Sequence, residues 1–171
     1  MHKIGNIPVS WTLPEIESLD YFYEKFNDNE SIQNWLRVYR REFTIGEQAD
    51  YRSVQPEFTN QVIKDIISQG IVLDNISTSF YRMHPGDMLP YHQDQYVSYC
   101  RYNNVDARRV YRIIVFLQDW QPGFIFEIEN QPLVQYPAGT YAFWHSDTSH
   151  LAGNMGSVPR YTLQITGTLN E

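Results

Sequence analysis

At Gly70 the hydrophobic pattern of the chain changes period, and that change restricts the fold more than any other feature. Before it, apolar residues recur at helical spacing: Leu19, Phe22, Tyr23 and Phe26 in one run, and Ile32, Trp35, Leu36 and Tyr39 in a second behind a cap at Ser31. A third run starts at Pro56, passes through Phe58, Val62, Ile63, Ile66 and Ile67, and stops at Gly70. Beyond Gly70 the segments are short, β-branched and aromatic, alternate with period two, and are punctuated by Pro and Gly. Strands are predicted near 72–83, 90–96, 110–118, 123–129, 132–136, 140–145 and 159–168, with turns at Pro85-Gly86, Pro122-Gly123 and Pro137-Ala138-Gly139. With no helical pattern between these strands, a βαβ sheet is excluded and a mainly β, jelly-roll sandwich or barrel is expected, with helices at its N-terminal side. Residues 97–109 have no clear period and read as a long loop, a candidate lid or binding loop.

At 171 residues and 42% hydrophobic content the chain has material for one core, so one domain is expected over 1–171. Within it, 1–70 reads as a helical support and 71–168 as the β core. A net charge of −7 argues against a protein that grips phosphate backbones, so nucleic acid is an unlikely partner. A single cysteine, Cys100, precludes an intrachain disulfide, no stretch approaches 18 apolar residues, and the N-terminus lacks the apolar run of a secretion signal. A cytoplasmic location with no membrane partner is the expectation.

His92-Gln93-Asp94 falls in a predicted strand, where residues two apart project from one face. A distant histidine, His150, lies in another strand region, and a jelly roll brings such segments side by side. Two imidazoles and one carboxylate on one face of a metal leave other positions open, as in non-haem Fe(II) oxygenases. A structural zinc site would use four protein ligands, commonly with Cys. Ten residues beyond His150 stand Arg160 and Thr162, which share a strand face opposite to that of Tyr161 and Leu163. A guanidinium fork beside a hydroxyl is a receptor for a carboxylate.

His92-x-Asp94, a distant His150 and Arg160 ten residues after it together resemble the Fe(II)/2-oxoglutarate-dependent dioxygenases over roughly residues 72–168. The run from Tyr81 to Asp94 with Pro85-Gly86, and Ile113-Ile114-Val115-Phe116-Leu117-Gln118-Asp119-Trp120, are similar to the prolyl hydroxylase branch. Trp144 to Asn154, with His150-Leu151-Ala152-Gly153-Asn154, is similar to the aspartyl/asparaginyl β-hydroxylase branch. Pro122-Gly123 stands where the prolyl branch usually has Gly-Gly, and some asparaginyl-type members lack the carboxylate that Asp94 supplies. The resemblance implies a double-stranded β-helix, a cupin-like jelly roll. It also implies Fe(II) held by His92, Asp94 and His150, 2-oxoglutarate as cosubstrate with its distal carboxylate on Arg160 and Thr162, and O2 as oxidant. The implied reaction is hydroxylation of an unactivated C–H bond in a prolyl, asparaginyl or related peptide, amino-acid or small-molecule substrate. A halide has no position, since Asp94 fills it. The alternatives are a noncatalytic cupin-like module that binds metal or a small molecule, and a nucleic-acid demethylase of the same superfamily.

Tyr81, on the strand leading to the ligands, reads either as a hydrogen-bond donor to the cosubstrate or as a half-buried strand tyrosine. Arg112 reads as a second carboxylate partner or as an outward residue, since an unpaired charge inside a barrel is costly. His145-Ser146-Asp147 is a second H-x-D, read as loop or surface residues because His145, Asp147 and His150 crowd into six positions and leave His92 and Arg160 unexplained. His84, in a turn, reads as exposed. Arg101, Arg108 and Arg109, interleaved with Tyr99 and Tyr102, read as a solvated loop face or a contact for an acidic substrate. Phe116, Phe126, Phe143 and Trp144, with the aromatics of the N-terminal helices, read as core.

Overall fold

The computed structural model describes residues 2–23, 29–41, 43–50 and 55–169. Among the described residues, ten strands and four α-helices follow the order β1 (His2–Asn6), α1 (Leu13–Glu17), α2 (Asn29–Tyr39), β2 (Glu47–Asp50), α3 (Glu57–Ser68), β3 (Leu73–Met83), β4 (Met88–His92), α4 (Val97–Asn103), β5 (Val110–Phe116), β6 (Phe124–Ile128), β7 (Gln131–Pro132), β8 (Thr140–His145), β9 (His150–Asn154) and β10 (Arg160–Leu169). A six-stranded antiparallel sheet, β1-β8-β5-β10-β3-β2, faces a four-stranded one, β4-β9-β6-β7. This is the jelly roll expected from the period-two pattern and, in its two facing sheets, the double-stranded β-helix that the resemblance implied.

Alternation on the large sheet assigns its two faces. Phe80, Ile113, Val115, Tyr161, Leu163 and Ile165 point outward into a core with Trp11, Ile16 and the α3 residues Phe58, Val62 and Ile66. Their neighbours Tyr81, Met83, Ile114 and Phe116, with Trp144 of β8, point inward into a second core with Phe126, Ile128 and Ala152 of the facing strands. Helices α1 and α3 thus roof the outer face and leave the space between the sheets to the site. Gly123 closes the turn into β6 at φ +95°, where a Cβ would lie 2.3 Å from the Gly156 amide nitrogen.

The N-terminal third differs from its helical reading. A strand runs at each edge of the large sheet, β1 against β8 and β2 against β3. The helix expected around Leu19 is absent over the described residues, and Phe26 lies outside them. The chain instead turns into a shorter helix earlier: the Thr12/Glu15 capping box and Pro14 start α1, Ser18 ends it, and Phe22 bridges to Gln48 at the sheet edge. Phe22 and Tyr23 are consequently exposed rather than core, and Tyr39, at the end of α2, is exposed as well. The helix predicted behind Ser31 forms but begins at Asn29. Residues 97–109 are not a structureless loop. They form α4, entered and left through left-handed Tyr96 and Asn104, and a 3-10 turn at Ala107–Arg109 capped by Asp106. None of the α4 side chains is buried, so no hydrophobic period marks the helix. No helix of the described residues is long and apolar enough to cross a membrane.

Candidate metal and carboxylate site

His92 ends β4 and His150 begins β9, and the antiparallel register places them directly opposite each other. Asp94 lies two residues beyond the end of β4, so the strand expected through 96 stops early and the carboxylate sits on the connection to α4. The ligand atoms of His92, Asp94 and His150 lie within 4.8 Å of one another, and among the described residues no other trio of His, Cys, Asp or Glu is so gathered. Each imidazole is oriented by its own chain: His92 Nδ1 meets the Pro90 carbonyl at 2.7 Å and His150 Nδ1 the Thr148 carbonyl at 3.2 Å. Both Nδ1 atoms carry the proton in these bonds, which leaves both Nε2 lone pairs for a ligand. They stand 3.5 and 3.9 Å from the Asp94 carboxylate oxygens. Trp35 of α2 packs edge-on against His92 with ring centroids 5.8 Å apart.

Asp94 is gripped from behind. Its Oδ2 accepts from the Tyr96 hydroxyl at 2.9 Å and from Arg112 Nη2 at 3.1 Å. Burial would raise this carboxyl's pKa, but the Arg112 charge outweighs it and holds Asp94 well below the usual carboxylate range. Burial lowers His150 to about 4, so its imidazole is neutral at pH 7, the form a metal needs.

Of the two readings of Arg112, the outward one is excluded. Its side chain faces inward, with Nη2 on Asp94, Nε on the Tyr96 hydroxyl at 3.2 Å and Nη1 on Gln164 Oε1 at 2.8 Å. These bonds bind it to a metal-ligand candidate rather than aiming it at a cosubstrate carboxylate. Tyr81 also faces inward, but its single proton goes to the Ile45 carbonyl, so as placed it is no donor to the cavity.

Arg160 opens β10 opposite Met83 and is 3% exposed. Its Nη1 contacts Met83 Sδ at 3.3 Å, whereas Nε and Nη2 are buried and have no hydrogen-bond partner. The guanidinium sits over the rings of Phe116 and Phe126, 5.5 and 6.0 Å from their centroids. A buried cation with two donor nitrogens lacking a partner is a strong chemical demand, and a carboxylate meets it. One cavity of about 210 Å³ is lined by His92, Asp94, His150, Arg112, Arg160 and Thr162 together, with Ser79 and Gln164 farther along its wall.

The second H-x-D is tied up elsewhere. His145 Nδ1 pairs with Asp147 Oδ1 at 2.6 Å on the turn after β8, and Nε2 pairs with the Arg108 carbonyl at 2.7 Å on the turn before β5, so both ring nitrogens are engaged. His84 is partly exposed and pairs with Glu47. Arg101, Arg108 and Arg109 are exposed, Arg108 pairing with Asp106.

Sequence reasoning missed Tyr96, Gln93 and Gln164. Gln164 was accessible as the next inward residue after Arg160 and Thr162 on a period-two strand. Gln93, which braces the ligand segment against the Asp147 carbonyl and Ser149, and Tyr96 carried no local signal.

No protein-family model and no curated protein sequence matches the chain. Among solved structures, the fold is similar to the viral collagen prolyl hydroxylase vCPH of Paramecium Bursaria Chlorella virus-1, solved as its 2OG complex. The TM-score is 0.58 at 12% identity, covering 98% of this chain and 96% of that one. It is also similar to a prolyl-4-hydroxylase of Pseudomonas putida, with TM-score 0.55 and 20% identity over 74% of this chain and 72% of that one. At such identities the likeness shows the fold.

Proposed function

We propose that the protein is a non-haem Fe(II)/2-oxoglutarate-dependent oxygenase that hydroxylates an unactivated C–H bond of a peptide, amino-acid or small-molecule substrate. The observation that carries this reading is Arg160: a buried guanidinium with two vacant donor nitrogens in the same cavity as the His92, Asp94 and His150 cluster. A metal site alone would leave that cation unexplained, whereas a dicarboxylate that also reaches the metal explains both. The two prolyl hydroxylase structures of like fold support the same reading.

His92 Nε2, His150 Nε2 and Asp94 would hold Fe(II), and the donor set suits it, with two neutral imidazoles and one anionic oxygen leaving further positions open. Arg160, beside Thr162, would bind the distal carboxylate of 2-oxoglutarate in an apolar sheath of Phe116 and Phe126, where a charge-assisted pair is strong. When bound, iron and 2-oxoglutarate supply with O2 the oxidising power needed to break a C–H bond. The chain's own contribution is placement and dryness. Arg112 and Tyr96 fix the rear oxygen of Asp94, the backbone carbonyls of Pro90 and Thr148 fix the imidazoles, and Trp35 shields His92.

The test is anaerobic titration of the Fe(II)-loaded protein with 2-oxoglutarate, read by its visible charge-transfer band, followed by succinate release in air. A band that forms in the parent protein and is lost in Arg160→Ala, with iron still bound, is the expected result. A parent protein that binds iron but gives neither band nor succinate refutes the reading and favours a noncatalytic binding module.

A further inference from the structure

The cavity has a second polar end. On β10 the inward residues are Arg160, Thr162 and Gln164, and four residues of strand separate the first from the last by about 13 Å. Gln164 Oε1 accepts from Arg112 Nη1 at 2.8 Å. A guanidinium has no acceptor, so this bond fixes the carboxamide: the oxygen faces Arg112 and the Nε2 hydrogens are left as donors. Ser79, the register partner of Gln164 on β3, lines the same wall.

Charge points the same way. Under the reading above, Fe(II) is offset by Asp94 and by the metal-bound carboxylate of 2-oxoglutarate, and Arg160 by the distal carboxylate. Arg112 is then left as a buried cation whose only anionic contact among the described residues, Asp94, would already be shared with the metal. A loaded cavity therefore keeps one positive charge among its described residues, next to donors that lack an acceptor. A cation is repelled there, a neutral amide meets the donors but not the charge, and a carboxylate meets both.

We propose that the substrate carries its own carboxylate, docked on Gln164, Ser79 and Arg112 at the end of the cavity away from Arg160, so that a small carboxylic acid such as a free or N-acylated amino acid is taken rather than the interior of a peptide. This rests on the oxygenase reading and adds the substrate class to it.

The experiment uses protein loaded with Mn(II) and 2-oxoglutarate, titrated calorimetrically with the free amino acids, their N-acetyl derivatives and the C-terminal amide of each. At least one acid binds, roughly 10- to 100-fold tighter than its amide, the range for a hydrogen-bonded charge in a desolvated site. In Gln164→Leu the acid-over-amide ratio falls about tenfold, and in Ser79→Ala it falls in the same direction. The 2-oxoglutarate affinity of each variant, measured in the same titration, reports whether its cavity is intact. Amides that bind as tightly as acids, a ratio unchanged in both variants, or no acid bound by a protein that has taken up Mn(II) and 2-oxoglutarate overturn the proposal. Failure to take up 2-oxoglutarate overturns instead the oxygenase reading on which it rests.

Discussion

Replacing Arg160 with Met should make the ligand-free protein more stable and at the same time deaf to 2-oxoglutarate. Arg160 is 3% exposed and two of its three nitrogens have no partner, so the ligand-free fold carries the desolvation of a charge with little return. The contacts with Phe116 and Phe126 give back about 0.5–2 kcal/mol. Met keeps the apolar stem, packs against Met83 and removes the charge. Exchanging a poorly compensated buried charge for a hydrophobe of similar reach stabilises by about 1–3 kcal/mol, or about 2–12 °C in a chain of this size. Saturation works in the opposite direction: 2-oxoglutarate at 100 times its Kd adds about 2.7 kcal/mol to the parent fold and nothing to the variant. The assay is thermal unfolding of both proteins, metal-loaded and anaerobic, with and without 2-oxoglutarate. The order of the two melting temperatures should narrow or reverse on adding the ligand. A variant less stable than its parent without ligand, or one shifted by 2-oxoglutarate as far as the parent, would refute the reasoning.

Asp94→Asn should retain the fold but weaken Fe(II) binding by at least tenfold in anaerobic titration, since an amide removes the anionic ligand. His145→Ala should keep its iron and lose under about 1 kcal/mol in urea unfolding, because its pairing with Asp147 is partly exposed. In the metal-free protein His150 is neutral with its pKa lowered to about 4, below the unfolded value, so the unfolded state takes up the proton first as pH falls. Stability is therefore full above about pH 6.5 and is lost towards pH 4, and His150→Gln should flatten that slope in unfolding measured across the interval. Gly123→Ala should cost more than about 1 kcal/mol in the same assay, because its φ of +95° and the nearby Gly156 amide leave a Cβ no place.

The fold was legible where one face of a strand is apolar and the other is not. β10 is the clearest case, with Tyr161, Leu163 and Ile165 turned to the helices and Arg160, Thr162 and Gln164 to the cavity. The edge strands β1 and β2, HKIGN and EQAD, gave no such signal, because each pairs along only one side and neither needs a run of branched apolar residues. Leu19, Phe22 and Tyr23 imitated a helix by chance of spacing, since Leu19 packs on the core from a turn while Phe22 joins a sheet edge. At the site, the grouping of His92, Asp94, His150 and Arg160 in one cavity agrees with their spacing in a jelly roll. The bonds of Arg112 to Asp94, Tyr96 and Gln164 cross 18, 16 and 52 positions and depend on side-chain reach, which no period records.

The two imidazoles and the carboxylate are held by different means, and this has a bearing on how such a centre changes over generations. His92 and His150 are each aimed by the carbonyl two residues earlier in their own segment, so any sequence that keeps the backbone keeps the aim. Asp94 is aimed by the side chains of Tyr96 and Arg112, which mutation can replace one at a time. The carboxylate is thus the adjustable member of the trio. Drift at positions 96 and 112 would tune its reach while the histidines hold still, so the carboxylate could shift without disturbing the two imidazoles.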